Sequence, residues 1–178
     1  MTKPEDEWEA FIQMLSPSNS DRILDVGAGD GSVASRVLGA SNGGEIYAVD
    51  PGERKVSAMK RNHPAIRSSV AAAESLPFPD SFFDKVYSTR ALHHFADLDR
   101  ALSELARVLK NGGSFVILEV EPRSFMGRAF RFFGRLMGEK MHFFSEPQLR
   151  ARLESSKDFS LGRSVSLGCR YLIQLTRN

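Results

Sequence analysis

The residues best suited to chemistry gather around one glycine-rich stretch, Asp25-Val-Gly27-Ala-Gly29-Asp30-Gly31. Glycines at alternate positions let a chain turn sharply and let a ligand approach its backbone. A dinucleotide turn needs G-x-G-x-x-G/A, and counted from Gly27 the last of those positions is Ser32. Charge points the same way. Asp25 and Asp30 flank the turn, and a carboxylate ~4 Å from a phosphate oxygen costs on the order of 4 kcal/mol at an effective dielectric of about 20. The same acids favour a cation, so a cationic ligand without phosphate suits the stretch; a bare structural turn is the plain alternative. Asp50, ending the run Tyr47-Ala-Val-Asp50-Pro51, can take both hydroxyls of a ribose in charge-assisted hydrogen bonds. It can equally cap a helix that follows.

A second group lies further on. His93 and His94 can each titrate near neutrality and serve as a base. Their plainer roles are packing, or capping the helix that begins near Asp97. A metal role lacks a third ligand spaced nearby, and adjacent side chains are expected to point apart. Glu119 and Glu121 alternate on one face, either to bind a polar acceptor or as solvated edge residues. Cys169, the single cysteine, sits among alternating apolar residues and reads as a small buried side chain.

The elements that position these residues follow from apolar periodicity. Trp8, Phe11, Ile12 and Leu15 lie on one face of an opening helix. Arg22 to Val26 reads as a short buried strand, and Val33, Ala34, Val37 and Leu38 as the helix after the glycines. Glu45 to Asp50 is a second strand, and Gly52 to Asn62 a second crossover helix, stopping before Pro64. Ile66 to Ala72 and Phe83 to Ser88 are the third and fourth strands. Leu98, Ala101, Leu102, Leu105 and Leu109 form an amphipathic helix that Asn111-Gly112-Gly113 is expected to close by left-handed capping. Ser114 to Val120 is a fifth strand, whose apolar run Phe115-Val-Ile-Leu118 is expected where both sheet faces are covered. Strand and helix alternating in this way predict a doubly wound α/β sheet with right-handed crossovers. In the tail, Phe125 to Met141 and Glu146 to Ser155 read as helices. Ser160 to Thr176 reads as two strands around Gly168, at least one of them antiparallel.

The 178 residues, 42% hydrophobic and 26% charged, describe one domain over residues 1–178. With 24 Lys+Arg against 22 Asp+Glu, the net charge of +2 is too small for a nucleic-acid footprint. One cysteine excludes a disulfide framework and a multi-thiolate metal site. No basic leader with an apolar run opens the chain, and no stretch reaches the ~20 apolar residues of a membrane span. A soluble, cytoplasmic protein without stable membrane insertion is the expectation.

Four motifs in order carry a resemblance: Ile23-Leu-Asp-Val-Gly-Ala-Gly-Asp-Gly31, Val49-Asp50-Pro51, Glu74-Ser-Leu-Pro-Phe-Pro-Asp80 with Phe82-Phe-Asp84, and Ala91-Leu-His-His-Phe95. Together, over roughly residues 22–122, they resemble the class I S-adenosylmethionine-dependent methyltransferases, most closely the small-molecule group around ubiquinone and menaquinone biosynthesis. The resemblance implies a mostly parallel seven-stranded Rossmann-like sheet with an antiparallel C-terminal strand. It implies S-adenosylmethionine as co-substrate, no metal, and in-line methyl transfer to a small-molecule acceptor. Gly27, Ala28, Gly29 and Gly31 would line the methionine part, with Asp25 and Asp30 near its cationic end. Asp50 and Pro51 would hold the ribose. The family's usual acid after strand three is Ala72 here, leaving the Ala73 backbone and the neighbouring Glu74 for the adenine. Ser88, Thr89 and Arg90 would face the transferring methyl, with His93 beside the donor.

One further segment, residues 122–145, is rich in aromatic and basic residues: Phe125, Phe130, Phe132, Phe133, Phe143 and Phe144 with Arg123, Arg128, Arg131, Arg135 and Lys140. It reads as a cover helix with snorkelling arginines, as a lid over an apolar or anionic acceptor, or as a basic helix at a membrane surface. Two other functions compete with methyl transfer. A nicotinamide-dependent oxidoreductase conflicts with Ser32 and the acids of the turn. A non-catalytic binding protein draws support from Ala72 and from a chain with little room for acceptor-binding insertions.

Overall fold

In a computed structural model, residues 4–125, 127–129, 132 and 142–178 are described. The chain runs α1 (Pro4–Leu15), β1 (Arg22–Val26), α2 (Ser32–Ala40), β2 (Glu45–Asp50), α3 (Glu53–Asn62), β3 (Arg67–Val70) and β4 (Phe83–Thr89). It continues through a single 3-10 turn (Leu92–His94), α4 (Leu98–Val108), β5 (Leu109–Val120), α5 (Glu146–Glu154), β6 (Phe159–Ser166) and β7 (Arg170–Arg177). Seven strands form one sheet in the order β3-β2-β1-β4-β5-β7-β6. The first five pair in parallel. β7 runs antiparallel to both β5 and β6, the expected C-terminal pair.

Each face of the sheet buries its own apolar layer. On one, Phe11 and Leu15 of α1, Ala34 and Val37 of α2 and Met59 of α3 meet Ile23, Ile46, Ala48 and Tyr87. On the other, Leu98, Leu102 and Leu105 of α4 and Leu149 and Leu153 of α5 meet Leu24, Val26, Val86, Phe115 and Ile117. Coverage of both faces is why β5 reads as an unbroken apolar run rather than an alternating one. Because β2 and β4 lie on opposite sides of β1, the strand order reverses there. The carboxyl ends of β1 and β4 therefore open onto a cleft. Among the described residues no helix is long and apolar enough to cross a membrane.

The end of α4 departs from expectation. Its C-cap, Leu109, is extended at φ −81° and ψ 141°, and β5 begins there at once. No left-handed cap is needed, because the amides of Ser81 and Phe82 donate to the carbonyls of Arg107 and Val108 at 2.9 and 2.8 Å. The Asn111-Gly112-Gly113 segment instead forms an irregularity in β5. Phe83 pairs with Leu109 but Lys85 with Ser114, and Gly112 takes up the extra length at φ +76°. Cys169 is also less enclosed than expected: it is half-exposed, in the turn between β6 and β7.

Candidate active site

The glycine turn is stitched to the end of β2, where the amides of Gly27 and Ala28 both donate to the Val49 carbonyl at 2.9 and 3.0 Å. Gly27, Gly29 and Gly31 all have positive φ, at +79°, +60° and +83°, a region that strains any residue with a Cβ. Their surroundings differ. A Cβ on Gly27 would lie 2.3 Å from the Ala91 Cβ, and one on Gly31 would lie 2.4 Å from Met59 Cγ. Over Gly29 there is open space. Gly27 and Gly31 thus permit close packing, and Gly29 alone leaves room for a ligand at its Cα.

That room belongs to a cleft of about 820 Å³, lined by Gly27, Ala28, Gly29 and Asp30 on one wall and by Asp50, Pro51 and Ala71 to Glu74 on the next. Thr89, Arg90, His93 and His94 close the third side. Asp50 is 3% exposed and braced on both oxygens. The amide of Gly29 donates to Oδ2 and that of Gly52 to Oδ1, each at 2.9 Å, and Lys55 Nζ stands 3.7 Å from Oδ1. Each carboxylate oxygen accepts two hydrogen bonds, so one lone pair on each remains for a vicinal diol. The helix-cap reading of Asp50 does not hold: the N-cap of α3 is Gly52, without a side-chain cap hydrogen bond, and Asp50 instead steadies the turn before it through the Gly52 amide. Asp30, exposed at the lip, is held below the usual carboxylate range by the Ser32 amide, which donates at 3.0 Å.

Three expected site residues lie off the cleft wall. Asp25 is wholly buried beside its ladder partner Tyr87, on the face covered by α1 rather than at the mouth of the turn. Neither of its oxygens has a hydrogen bond of normal geometry among the described residues. Burial pushes its pKa up to about 7; the Tyr87 hydroxyl pulls it part of the way back, and the charge of Asp50 adds to the rise. Gly31 is turned against Met59. Ser88 is buried and donates to the Val26 carbonyl at 3.0 Å, tying β4 to β1.

Glu74 reaches the cleft but is already engaged. Its Oε1 accepts the amides of Ala96 and Asp97 at 2.7 and 3.1 Å, and Arg100 Nε donates to its carbonyl at 3.0 Å. Asp97 caps α4 itself, accepting from the Arg100 amide, so neither histidine serves as that cap. The segment from Glu74 to Asp80 is clamped to α4 by Arg107. Its guanidinium holds the carbonyls of Leu76 and Phe78, the carboxylate of Asp80 and both oxygens of Glu104. The Arg107 hydrogen bond brings Glu104 down to about 2.

His93 and His94 both line the cleft, with ring centroids 4.3 Å apart rather than pointing apart. His94 is exposed; His93 is 7% exposed. Its Nδ1 lies 2.9 Å from Oε2 of Glu119, its ring stacks on Phe143 at 4.6 Å and 14°, and the His142 amide donates to its carbonyl at 2.8 Å. Glu119 is 2% exposed, which overturns the solvated-edge reading. A signal for it was present: a strand covered on both faces buries its next residue too, and a buried carboxylate requires a partner. Phe143 reads in the sequence as part of the aromatic segment, and the structure stacks it on the site. Within that segment Phe125 and Phe132 are exposed and Phe144 packs on the core. Phe130, Arg131, Phe133, Arg135 and Lys140, on which the lid and membrane readings depend, lie outside the described residues.

Comparison with known proteins matches this geometry. The methyltransferase domain family matches residues 24–117. The chain is similar to a demethylmenaquinone methyltransferase of Thermus thermophilus, 30% identical over 164 residues, 79% of this chain and 74% of that protein. It is 32% identical over 154 residues to a ubiquinone/menaquinone biosynthesis C-methyltransferase of Acidiphilium cryptum, covering 83% of this chain and 59% of the relative. Its fold is similar to that of an S-adenosylmethionine-dependent methyltransferase of Mesorhizobium loti, with a TM-score of 0.81 at 19% identity over 96% of this chain and 97% of that one. Several curated relatives are longer, and the chain spans 40% to 59% of their length. A strand-order reversal at β1, a glycine turn beneath a braced acid and these matches lead to one assignment: the chain belongs to the class I S-adenosylmethionine-dependent methyltransferases.

Proposed function

We propose that the chain transfers a methyl group from S-adenosylmethionine to a small organic acceptor by in-line displacement. The observation that carries this reading is Asp50, a nearly buried carboxylate that lines the cleft, braced by the Gly29 amide beside the open space over Gly29. Asp50 and Pro51 would hold the ribose, Gly27 to Asp30 the methionine part, and the backbone of Ala72 and Ala73 the adenine. Asp25, buried below the wall, would not touch the donor. The donor supplies an electrophilic methyl on a sulfonium, which is its own leaving group. What the protein adds is alignment and exclusion of water, effects that together reach ~7–11 kcal/mol. Thr89, Arg90, His93 and His94 would border the acceptor, with a histidine available as base. An acceptor with an apolar body and a polar or anionic edge fits this border. Support for a small acceptor of this kind comes from the relatives named for demethylmenaquinone and for ubiquinone and menaquinone biosynthesis.

Calorimetric titration tests the donor site. S-adenosylhomocysteine is expected to bind and NADH not to. Asp50→Ala is expected to weaken binding roughly 100-fold, the loss of two charge-assisted hydrogen bonds. Equal affinity of the Asp50→Ala and parent proteins would refute the assignment.

A further inference from the structure

We propose that Glu119 is a positioning residue that holds His93 as a base, so that the site is built for an acceptor whose nucleophilic atom carries a proton. The inference rests on the methyl-transfer reading above and adds to it the chemical class of the acceptor.

A carboxylate as enclosed as Glu119 costs several kcal/mol unless hydrogen bonds replace its water. Here they do. The Val120 amide donates to Oε1 at 2.9 Å, the His93 amide to Oε2 at 3.3 Å, and His93 Nδ1 stands 2.9 Å from Oε2. An ionised carboxylate only accepts, so the proton shared with the ring sits on Nδ1. The other ring nitrogen, Nε2, is then an unprotonated acceptor. It makes no hydrogen bond to any described residue, and His93 lines the cleft. Supports from two other places fix the same ring: Phe143 lies nearly parallel to it, and the His142 amide holds its backbone carbonyl. A histidine that only packs has no need of a tautomer set by a buried acid. A base whose second nitrogen must be free does, and an acid–imidazole pair is the usual means of securing it.

The step balances without a further reactant. The acceptor's O–H gives its proton to Nε2. The electron pair so released forms the new bond to the methyl carbon as the carbon–sulfur bond breaks, and sulfur keeps that bond's electrons as a neutral thioether. Glu119 offsets the imidazolium charge until the proton passes to water. Phenols and enols are acceptors of this class, whereas carboxylates and free amines already carry a usable lone pair.

Nitrogen-15 NMR of the full chain, labelled in histidine and recorded at pH 8 with and without S-adenosylhomocysteine, reads the tautomer directly. His93→Asn identifies the signal. The expected wild-type result is a neutral ring with its proton on Nδ1. In Glu119→Leu the proton is expected to move predominantly to Nε2, while S-adenosylhomocysteine affinity changes less than twofold. A wild-type ring protonated on Nε2, or on both nitrogens, would overturn the inference even if the variant failed to fold. So would an unchanged Nδ1–H pattern in Glu119→Leu. Failure of the wild-type chain to bind S-adenosylhomocysteine would instead remove the methyl-transfer reading, whatever the tautomer.

Discussion

The two halves of the cleft are built by different means. The donor half comes from two consecutive strand–turn–helix units, and its key bonds join backbone amides to one carboxylate: Gly29 and Gly52 to Asp50. The acceptor half draws His93 from the turn after β4, Glu119 from β5 and Phe143 from the segment before α5. Amides of Val120 and His93 brace Glu119 here too, but its defining contacts, His93 to Glu119 and His93 to Phe143, join side chain to side chain across long sequence separations. Backbone recognition tolerates side-chain drift around it, whereas a side-chain cluster changes with any one member. A fold organised in this way can retain one donor while its acceptor varies.

The comparison breaks if the donor half proves insensitive to backbone geometry or to the charge beneath it. The largest effect is expected at Asp25. In the fold it keeps its proton to about pH 7, while in the unfolded chain it ionises near pH ~4. Between those values the native state binds more protons, so stability falls as pH rises through the window. Urea unfolding from pH 4 to 7 should show a loss on the order of 4 kcal/mol relative to Asp25→Asn, which cannot ionise. Parallel pH profiles of the two proteins would break the claim.

Next come the glycines. Gly27→Ala meets both the positive φ and the Ala91 side chain and should cost about 3 kcal/mol or more in the same assay. Gly29→Ala meets only the φ and should cost about 1–2 kcal/mol. Its greater effect should fall on S-adenosylhomocysteine affinity, because the new methyl enters the cleft. Arg107→Met frees the segment from Glu74 to Asp80 and should lower stability by on the order of 2 kcal/mol. Glu104 ionises near 2 in the fold, so its stabilising contribution is whole above pH ~4.5 and is lost as pH falls toward 2. Arg107→Met should erase that acid-side loss in thermal melts. Smallest is Phe143→Leu, expected to cost about 1 kcal/mol of stability while calorimetry finds donor affinity unchanged. A donor affinity that fell with it would join the halves the comparison separates.

The same division governs how much the sequence disclosed. β1 and β2 occupy their predicted residues, Arg22–Val26 and Glu45–Asp50, and Asp50 meets the glycine turn, because short-range pattern and local hydrogen bonding decide both. Gly31 and Asp25 read in the sequence as ligand-facing, yet they face Met59 and Tyr87. Which way a turn residue faces depends on elements packed later. The end of α4 misled for the same reason: amides of Ser81 and Phe82, from before β4, take the carbonyls that a glycine cap would otherwise leave open. Glu119 shows the limit most plainly. Its burial follows from the apolar run before it, but no spacing along the chain pairs it with His93 26 positions away.

The turn between β6 and β7 has a practical use. β7 is antiparallel to β5, with Tyr171 opposite Glu119, and the Cys169 carbonyl accepts the Glu121 amide at 2.9 Å. The sole thiol of the protein therefore stands, half-exposed, within a few residues of the buried acid. A fluorophore or spin label attached there needs no engineered mutation, and it would watch the far wall of the cleft respond as an acceptor settles in.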